Sequence, residues 1–81
     1  MFEIYGRQDC PYCDMAKEVL SDRKLPFTYY ELKKDITVEE FRTKFPDQRT
    51  VPVVLVRGVK IGGYTELVEY LEDTSGGFGD G

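Results

Sequence analysis

The apolar segment Val53–Val56 constrains the fold more than any other part of this chain. It follows Pro52 directly and contains no polar residue. A short apolar run without alternation is typical of a strand that is buried on both faces. In a chain of 81 residues, such a strand requires a sheet with a layer packed on each side. The segment therefore predicts one small domain in which helices flank a sheet.

Three further segments are predicted to be strands. Residues 2–6 alternate apolar with more polar side chains, and residues 27–32 are rich in aromatic and β-branched side chains. A turn at Gly58 joins Val53–Val56 to a short antiparallel partner at residues 59–61. The tyrosines assigned to core or surface packing are Tyr5, Tyr29, Tyr30 and Tyr70.

Three segments follow the helical period of about 3.6 residues. Pro11 opens the first helix, and a capping box formed by Thr37 and Glu40 opens the second. Thr65 is the predicted N-cap of the third. The apolar stripes assigned to these helices are Tyr12, Met15, Ala16, Val19 and Leu20; Val38, Phe41 and Phe45; and Leu67, Val68 and Leu71.

The element order predicted from these patterns is βαβαββα. A right-handed βαβ connection makes the first two strands parallel, and the tight turn makes the last two antiparallel. The expected fold class is α/β, with a mixed four-stranded sheet flanked by three helices. Residues 1–73 are assigned to this domain, and the glycine-rich residues 74–81 are expected to form a disordered tail.

Composition excludes several functional classes. With 15 acidic and 11 basic side chains the net charge is -4, which argues against a general nucleic-acid binder. Two cysteines and no histidine cannot complete a four-ligand zinc site or a disulfide scaffold, so no metal site is predicted. No apolar run approaches the roughly 20 residues of a membrane span, and no secretory signal is recognised. We expect a soluble, cytoplasmic monomer that binds neither nucleic acid nor membranes.

The two cysteines form the tetrad Cys10-Pro11-Tyr12-Cys13 at the start of the first predicted helix. This spacing brings the two thiols within disulfide reach. A structural disulfide would close so short a loop that it gains only about 2 kcal/mol, and such disulfides are rare inside cells. A metal site would need ligands from outside the chain. A redox-active pair is therefore the preferred interpretation.

The positions of the two thiols at the start of the helix predict different roles for them. Unpaired N–H groups and the helix dipole favour an anion at Cys10, which is the predicted nucleophile. Cys13 lies one turn further in, is expected to be less exposed, and is suited to resolving a mixed disulfide on Cys10. Arg7 and Lys17 add positive charge nearby, whereas Asp9 opposes it.

Four motifs in this order resemble those of a dithiol glutaredoxin, from Phe2 to about Asp73. They are Gly6-Arg7, the Cys10-Pro11-Tyr12-Cys13 tetrad with Ala16-Lys17 after it, Thr50-Val51-Pro52, and Ile61-Gly62-Gly63-Tyr64-Thr65. The resemblance implies a thioredoxin-like fold and a glutathione-dependent thiol–disulfide oxidoreductase. Its implied substrates are protein disulfides and glutathione mixed disulfides, with glutathione as co-substrate and no tightly bound cofactor.

The same resemblance implies a glutathione site. Val51, before a cis proline, is expected to pair with the cysteinyl backbone of glutathione. N–H groups near Thr65 and Glu66 are expected to hold the γ-glutamyl carboxylate, and the Glu66 side chain the ammonium. Arg7 is expected near the glycine carboxylate, with Arg42 and Arg49 as further candidates. The full predicted set is Arg7, Tyr12, Thr50, Val51, Pro52, Gly63, Tyr64, Thr65 and Glu66.

Two other functions remain open at this point. One is a redoxin that is reduced by thioredoxin reductase and serves ribonucleotide reductase, although the Tyr64-Thr65-Glu66 segment argues for glutathione binding instead. The other is a [2Fe–2S] carrier, in which Cys10 from two chains and two glutathiones ligate the cluster. Pro11 and the second thiol at Cys13 disfavour that carrier.

Overall fold

The computed structural model describes residues 1–72, so residue 73 and the predicted tail at 74–81 lie outside the described residues. None of the helices within residues 1–72 is long and apolar enough to span a bilayer. The elements follow the predicted order. They are β1 (Phe2–Gly6), α1 (Pro11–Asp22), β2 (Phe27–Glu31), α2 (Val38–Lys44), β3 (Val53–Val56), β4 (Val59–Gly62) and α3 (Tyr64–Leu71).

The four strands form one mixed sheet in the order β2-β1-β3-β4. β1 runs parallel to β2 and antiparallel to β3, and β3 runs antiparallel to β4. Val53, Val54 and Leu55 are buried and Val56 is half-buried. The doubly buried strand is thus confirmed over its first three residues, and it occupies a central position. β2 ends at Glu31, one residue before the predicted end.

The sheet separates two apolar clusters, because successive side chains of a strand point to opposite faces. On one face α1 and α3 pack against β1 and β3, and on the other face α2 does so. The first cluster contains Phe2, Ile4, Ala16, Leu20, Val54, Leu67 and Leu71. The second contains Tyr5, Phe41, Phe45, Val53 and Leu55. A helix layer therefore covers each face, as predicted.

The buried stripe of α1 differs from the predicted one. Cys13, Ala16 and Leu20 are buried, whereas the side chains of Tyr12 and Met15 are 58% and 38% exposed. The prediction was wrong for Tyr12 and Met15 because two stripes, related by rotation about the helix axis, both fit the helical period. Docking against the sheet selects the stripe that turns Cys13 inward.

The helix caps are confirmed for α2 and corrected for α3. The Thr37 hydroxyl accepts a hydrogen bond from the Glu40 N–H group (3.0 Å), and the Glu40 carboxylate accepts one from the Thr37 N–H group (2.9 Å). In α3 the N-cap is Gly63, and Thr65 is the second helical residue. The Glu66 carboxylate accepts a hydrogen bond from the Gly63 N–H group (2.8 Å), so a side chain inside the helix satisfies its start.

The burial of α1 leads to a stability prediction. Leu20 is fully buried, so Leu20→Ala is expected to lower the free energy of unfolding by about 3 kcal/mol. Met15→Ala, on the same helix, is expected to lower it by less than about 1 kcal/mol because Met15 is partly exposed. Urea denaturation followed by circular dichroism measures both. Equal losses would contradict the helix orientation described here.

Candidate active site

The two thiols meet at the start of α1, where Cys10 is the N-cap residue. The Cys10 Sγ atom accepts a hydrogen bond from the Cys13 N–H group (3.3 Å), a contact that stabilises negative charge on that sulfur. Both cysteines are free and buried, but Cys10 retains 5% exposure whereas Cys13 has none. The outer position of Cys10 is the one from which an attack on an external disulfide is sterically possible.

Cys13 lies in an environment that favours the protonated thiol. Burial, followed by the hydrogen bond with Cys10, raises the pKa of Cys13 to about 11. Two hydrogen-bond donors counteract this shift, namely the backbone N–H group of Arg7 and the hydroxyl of Tyr29. Cys13 is therefore a neutral thiol at pH 7, and it has to lose its proton before it can attack a disulfide.

Tyr29 is a residue of this site that the sequence analysis missed, since it was assigned to packing. Its ring is half-buried on the α1 face of β2, opposite Ile4 of β1 in the strand register. Burial and the neighbouring Cys13 raise the pKa of the Tyr29 phenol, so its hydroxyl keeps its proton. The β1–β2 register and the inward rotation of Cys13 bring Tyr29 to this site, and both are set by packing between segments far apart in the chain.

Lys17 contacts two side chains beside the thiol pair. Its ammonium group is 4.1 Å from the centroid of the Tyr29 ring and 3.6 Å from the Asp14 carboxylate. Lys17 therefore belongs to the surroundings of Tyr29 and Cys13. A cation over the face of a phenol is a favourable electrostatic contact.

A cis peptide bond joins Val51 to Pro52, in a loop that contacts Cys10. The Cys10 thiol donates a weak hydrogen bond to the Val51 carbonyl oxygen (3.9 Å). Gly63 approaches the same loop so closely that a β-carbon there would lie 3.3 Å from the Pro52 carbonyl oxygen. Glycine at this position lets two backbone segments come together beside the thiol.

A groove of about 810 Å³ begins at Cys10 and runs between α1 and α2. Its walls include four of the predicted glutathione-site residues, namely Arg7, Tyr12, Thr50 and Val51. The Arg7 guanidinium donates hydrogen bonds to the backbone carbonyl oxygens of Gln8 (3.1 Å) and Asp9 (3.5 Å). Arg42 and Arg49 also line the groove, so three arginines contribute to its walls. The groove therefore attracts anions although the net charge of the whole chain is -4.

The predicted residues at the start of α3 lie outside the walls of this groove. Thr65 and Glu66 are exposed, and the Tyr64 ring stands 5.9 Å from the Tyr12 ring between centroids. The Gly63 N–H group and the N–H group of Glu66 itself lower the pKa of the Glu66 carboxyl. The structure thus leaves the start of α3 open to solvent and connects it to the groove through the two tyrosine rings.

Comparison with known proteins identifies the family. The glutaredoxin family model matches residues 2–61. Glutaredoxin 3 of Escherichia coli is 33% identical over 75 residues, which cover 93% of this chain and 88% of that protein. The solved structure of reduced Escherichia coli glutaredoxin has a TM-score of 0.67 at 30% identity, covering 89% of this chain and 93% of that one.

A second solved structure gives the same fold at lower identity. The buckwheat glutaredoxin–glutathione complex has a TM-score of 0.74 at 23% identity, covering 90% of this chain and 69% of that one. The expected thioredoxin-like fold, with three helices and a mixed four-stranded sheet within residues 1–72, is confirmed. With the Cys10–Cys13 pair at the start of α1, the chain belongs to the glutaredoxin family of thiol–disulfide oxidoreductases.

Proposed function

We propose that this protein uses glutathione to reduce protein disulfides and glutathione mixed disulfides. Cys10 is the nucleophile in this proposal, and Cys13 is the resolving thiol. The observation that carries it is the position of the Cys10 Sγ atom, which accepts the Cys13 N–H group at 3.3 Å and opens onto a groove lined by arginines. The N–H group donates to the sulfur that attacks, and the arginines favour an anionic ligand.

Removal of glutathione from a mixed disulfide needs one protein thiol. The Cys10 thiolate attacks the glutathione sulfur, so the Cys10–glutathione disulfide forms and the target protein leaves as a thiolate, which takes up a proton. The thiolate of a second glutathione then attacks the glutathione sulfur on Cys10. Glutathione disulfide is released and the Cys10 thiolate returns, so each cycle consumes one free glutathione and exchanges the mixed disulfide for glutathione disulfide.

Reduction of a protein disulfide also uses Cys13. The Cys10 thiolate attacks one sulfur of the target and forms a mixed disulfide, while the other target sulfur leaves as a thiolate. Cys13 then loses its proton and attacks the Cys10 Sγ atom. This step releases the second target thiolate and leaves the Cys10–Cys13 disulfide, which two glutathiones reduce again.

The proposed glutathione position extends from the groove to the start of α3. The Val51 backbone pairs with the cysteinyl unit of glutathione, and Arg7 meets the glycine carboxylate together with the other groove arginines. N–H groups near Thr65 hold the γ-glutamyl carboxylate. One carboxylate oxygen of Glu66 already accepts the Gly63 N–H group, so the ammonium of glutathione contacts the other oxygen. Glutathione in the buckwheat complex supports this ligand class.

Two coupled assays test the reductant. In one, glutathione and glutathione reductase recycle the protein with NADPH, and in the other thioredoxin reductase does so, with the same small glutathione mixed disulfide as substrate. We expect turnover in the glutathione assay and none above background in the thioredoxin reductase assay. Turnover with thioredoxin reductase alone would contradict the proposal and favour the redoxin alternative.

A matched pair of arginine variants tests whether the substrate of this turnover binds in the groove. Arg7→Gln removes an exposed cation that lines the groove, whereas Arg57→Gln removes an exposed cation at the β3–β4 turn. We expect Arg7→Gln to raise the KM for the mixed disulfide by about three- to tenfold, since a charge-assisted contact with the glycine carboxylate is lost. Arg57→Gln should leave the KM unchanged, and equal effects would contradict the proposed position.

A further inference from the structure

Tyr29 and Cys13 meet in the space above the backbone of Gly6. A side chain at position 6 would collide with the Tyr29 hydroxyl, and its β-carbon would lie 2.8 Å from the Cys13 Sγ atom. The Tyr29 hydroxyl donates a hydrogen bond to the Arg7 carbonyl oxygen (3.5 Å). The Cys13 sulfur borders the same space as the alternative acceptor for this proton. The hydroxyl can therefore turn between a neutral carbonyl and the sulfur.

Two donors thus lie next to the Cys13 sulfur and lower its pKa, the Arg7 backbone N–H group and the Tyr29 hydroxyl. Because the Cys13 side chain has no exposed surface in this conformation, a negative charge on its sulfur depends on such donors more than on water. The ionisable groups that face this pair are Cys10 and Lys17 from α1 and Glu31 from β2. Only Lys17 among them brings positive charge, and it does so over the Tyr29 ring.

We propose that Tyr29 stabilises the Cys13 thiolate each time that thiolate forms. The inference rests on the dithiol mechanism proposed above. We call formation of the Cys10–Cys13 disulfide ring closure and its reduction ring opening. In ring closure, Cys13 loses its proton to solvent and attacks the Cys10 Sγ atom, so the Cys10–Cys13 bond forms and the bond from Cys10 to the target thiol breaks. In ring opening, an external thiolate attacks the Cys10 Sγ atom, and Cys13 leaves as a thiolate. Tyr29 donates its hydrogen bond in both directions and keeps its own proton.

This role predicts the same sign of effect for both directions. Without the hydroxyl, a smaller fraction of Cys13 is ionised, but each Cys13 thiolate that forms is more nucleophilic. The rate of ring closure therefore falls by a smaller factor than the ionised fraction does. In ring opening, a more basic leaving thiolate departs more slowly. We therefore expect Tyr29→Phe to slow closure and opening alike, each by about three- to tenfold.

Ring closure is measured with an aromatic disulfide whose released thiolate is coloured. One equivalent reacts with Cys10 and releases a first coloured thiolate, and attack by Cys13 then releases the second. In Tyr29→Phe the first phase should keep its rate while the second slows. The variant should fold, because phenylalanine retains the ring that packs beside the core. The unchanged first phase then serves as the check that the site around Cys10 is intact. An unchanged second phase, or equal slowing of both phases, would overturn the inference.

Ring opening is measured by adding mercaptoethanol to the oxidised protein and following the mixed disulfide by mass spectrometry after acid quenching. Slower opening in Tyr29→Phe is expected. A variant that closes more slowly and opens faster would overturn the inference, since that pattern means that the substitution only destabilises the disulfide. Such a structural effect changes the equilibrium and cannot slow both directions.

Two controls complete the design. Tyr30 is the neighbouring tyrosine on the opposite face of β2, where its ring stacks on Tyr5 at 4.7 Å between centroids. Tyr30→Phe should change neither phase, and a slowed second phase in this control would overturn the assignment to Tyr29. Cys13→Ser should lack the second phase altogether. Its persistence there would refute the dithiol mechanism itself, an outcome distinct from a failure of the Tyr29 role.

Discussion

We expect Cys10→Ser to abolish both reactions, the reduction of protein disulfides and the removal of glutathione from mixed disulfides. In the proposed mechanism each reaction begins with attack by the Cys10 sulfur, and a serine hydroxyl is not ionised at neutral pH. Loss of the nucleophile should lower both rates by at least about a thousandfold. Glutathione-coupled turnover with a mixed disulfide and with a small disulfide-bonded protein measures the two rates.

The geometry makes this substitution a clean test. Serine is close to cysteine in size, and the Cys10 side chain retains little exposure, so the packing at the start of α1 should persist. The serine oxygen can also accept the Cys13 N–H group that the Cys10 sulfur accepts now. An unchanged urea midpoint would establish that the fold is intact. Residual turnover carried by Cys13 would show that the nucleophile has been assigned to the wrong thiol.

We expect Cys13→Ser to separate the two reactions. Removal of glutathione from a mixed disulfide should continue, because that route uses Cys10 alone. Reduction of a protein disulfide should fall by at least about a hundredfold, since an external glutathione at millimolar concentration replaces a thiol held beside the mixed disulfide. The target should accumulate as a covalent complex with Cys10, which non-reducing gel electrophoresis detects.

The pH dependence of the native protein supplies a second criterion for the same assignment. The pKa of Cys13 is raised to about 11, so its thiolate fraction increases about tenfold per pH unit through the neutral range. The resolving step should therefore accelerate as the pH rises from 6 to 9, in single-turnover measurements. Cys13→Ser should remove this acceleration. Equal loss of both reactions in Cys13→Ser would contradict the division of roles.

The packing of the sheet explains how so small a domain positions these thiols. Burial of Val53, Val54 and Leu55 fixes the backbone that follows Pro52, and the Val51 carbonyl oxygen just before it lies 3.9 Å from the Cys10 Sγ atom. The neighbouring strand β1 ends at Gly6, whose missing side chain leaves room for Cys13. The two central strands therefore hold the loop and the thiol pair in one rigid frame.

Local patterns accounted for much of this arrangement. The capping box at Thr37 and Glu40 was predictable because its two hydrogen bonds join residues three apart. The N-cap of α3 was not, because Thr65 is a good capping residue by type, whereas the chain turns at Gly63 to approach Pro52. A contact between distant segments thus moved the helix start away from the residue that local preference favoured.

The sequence by itself determined the order of strands and helices, the burial of Val53–Leu55 on both faces of the sheet and the placement of Cys10 and Cys13 at the start of α1. Each of these follows from residues close together in the chain, whose spacing is set by backbone geometry. Only the tertiary structure decided which side of α1 faces the sheet and that Tyr29 meets Cys13. Both depend on strand register and helix rotation, which are fixed by packing between segments far apart in the chain.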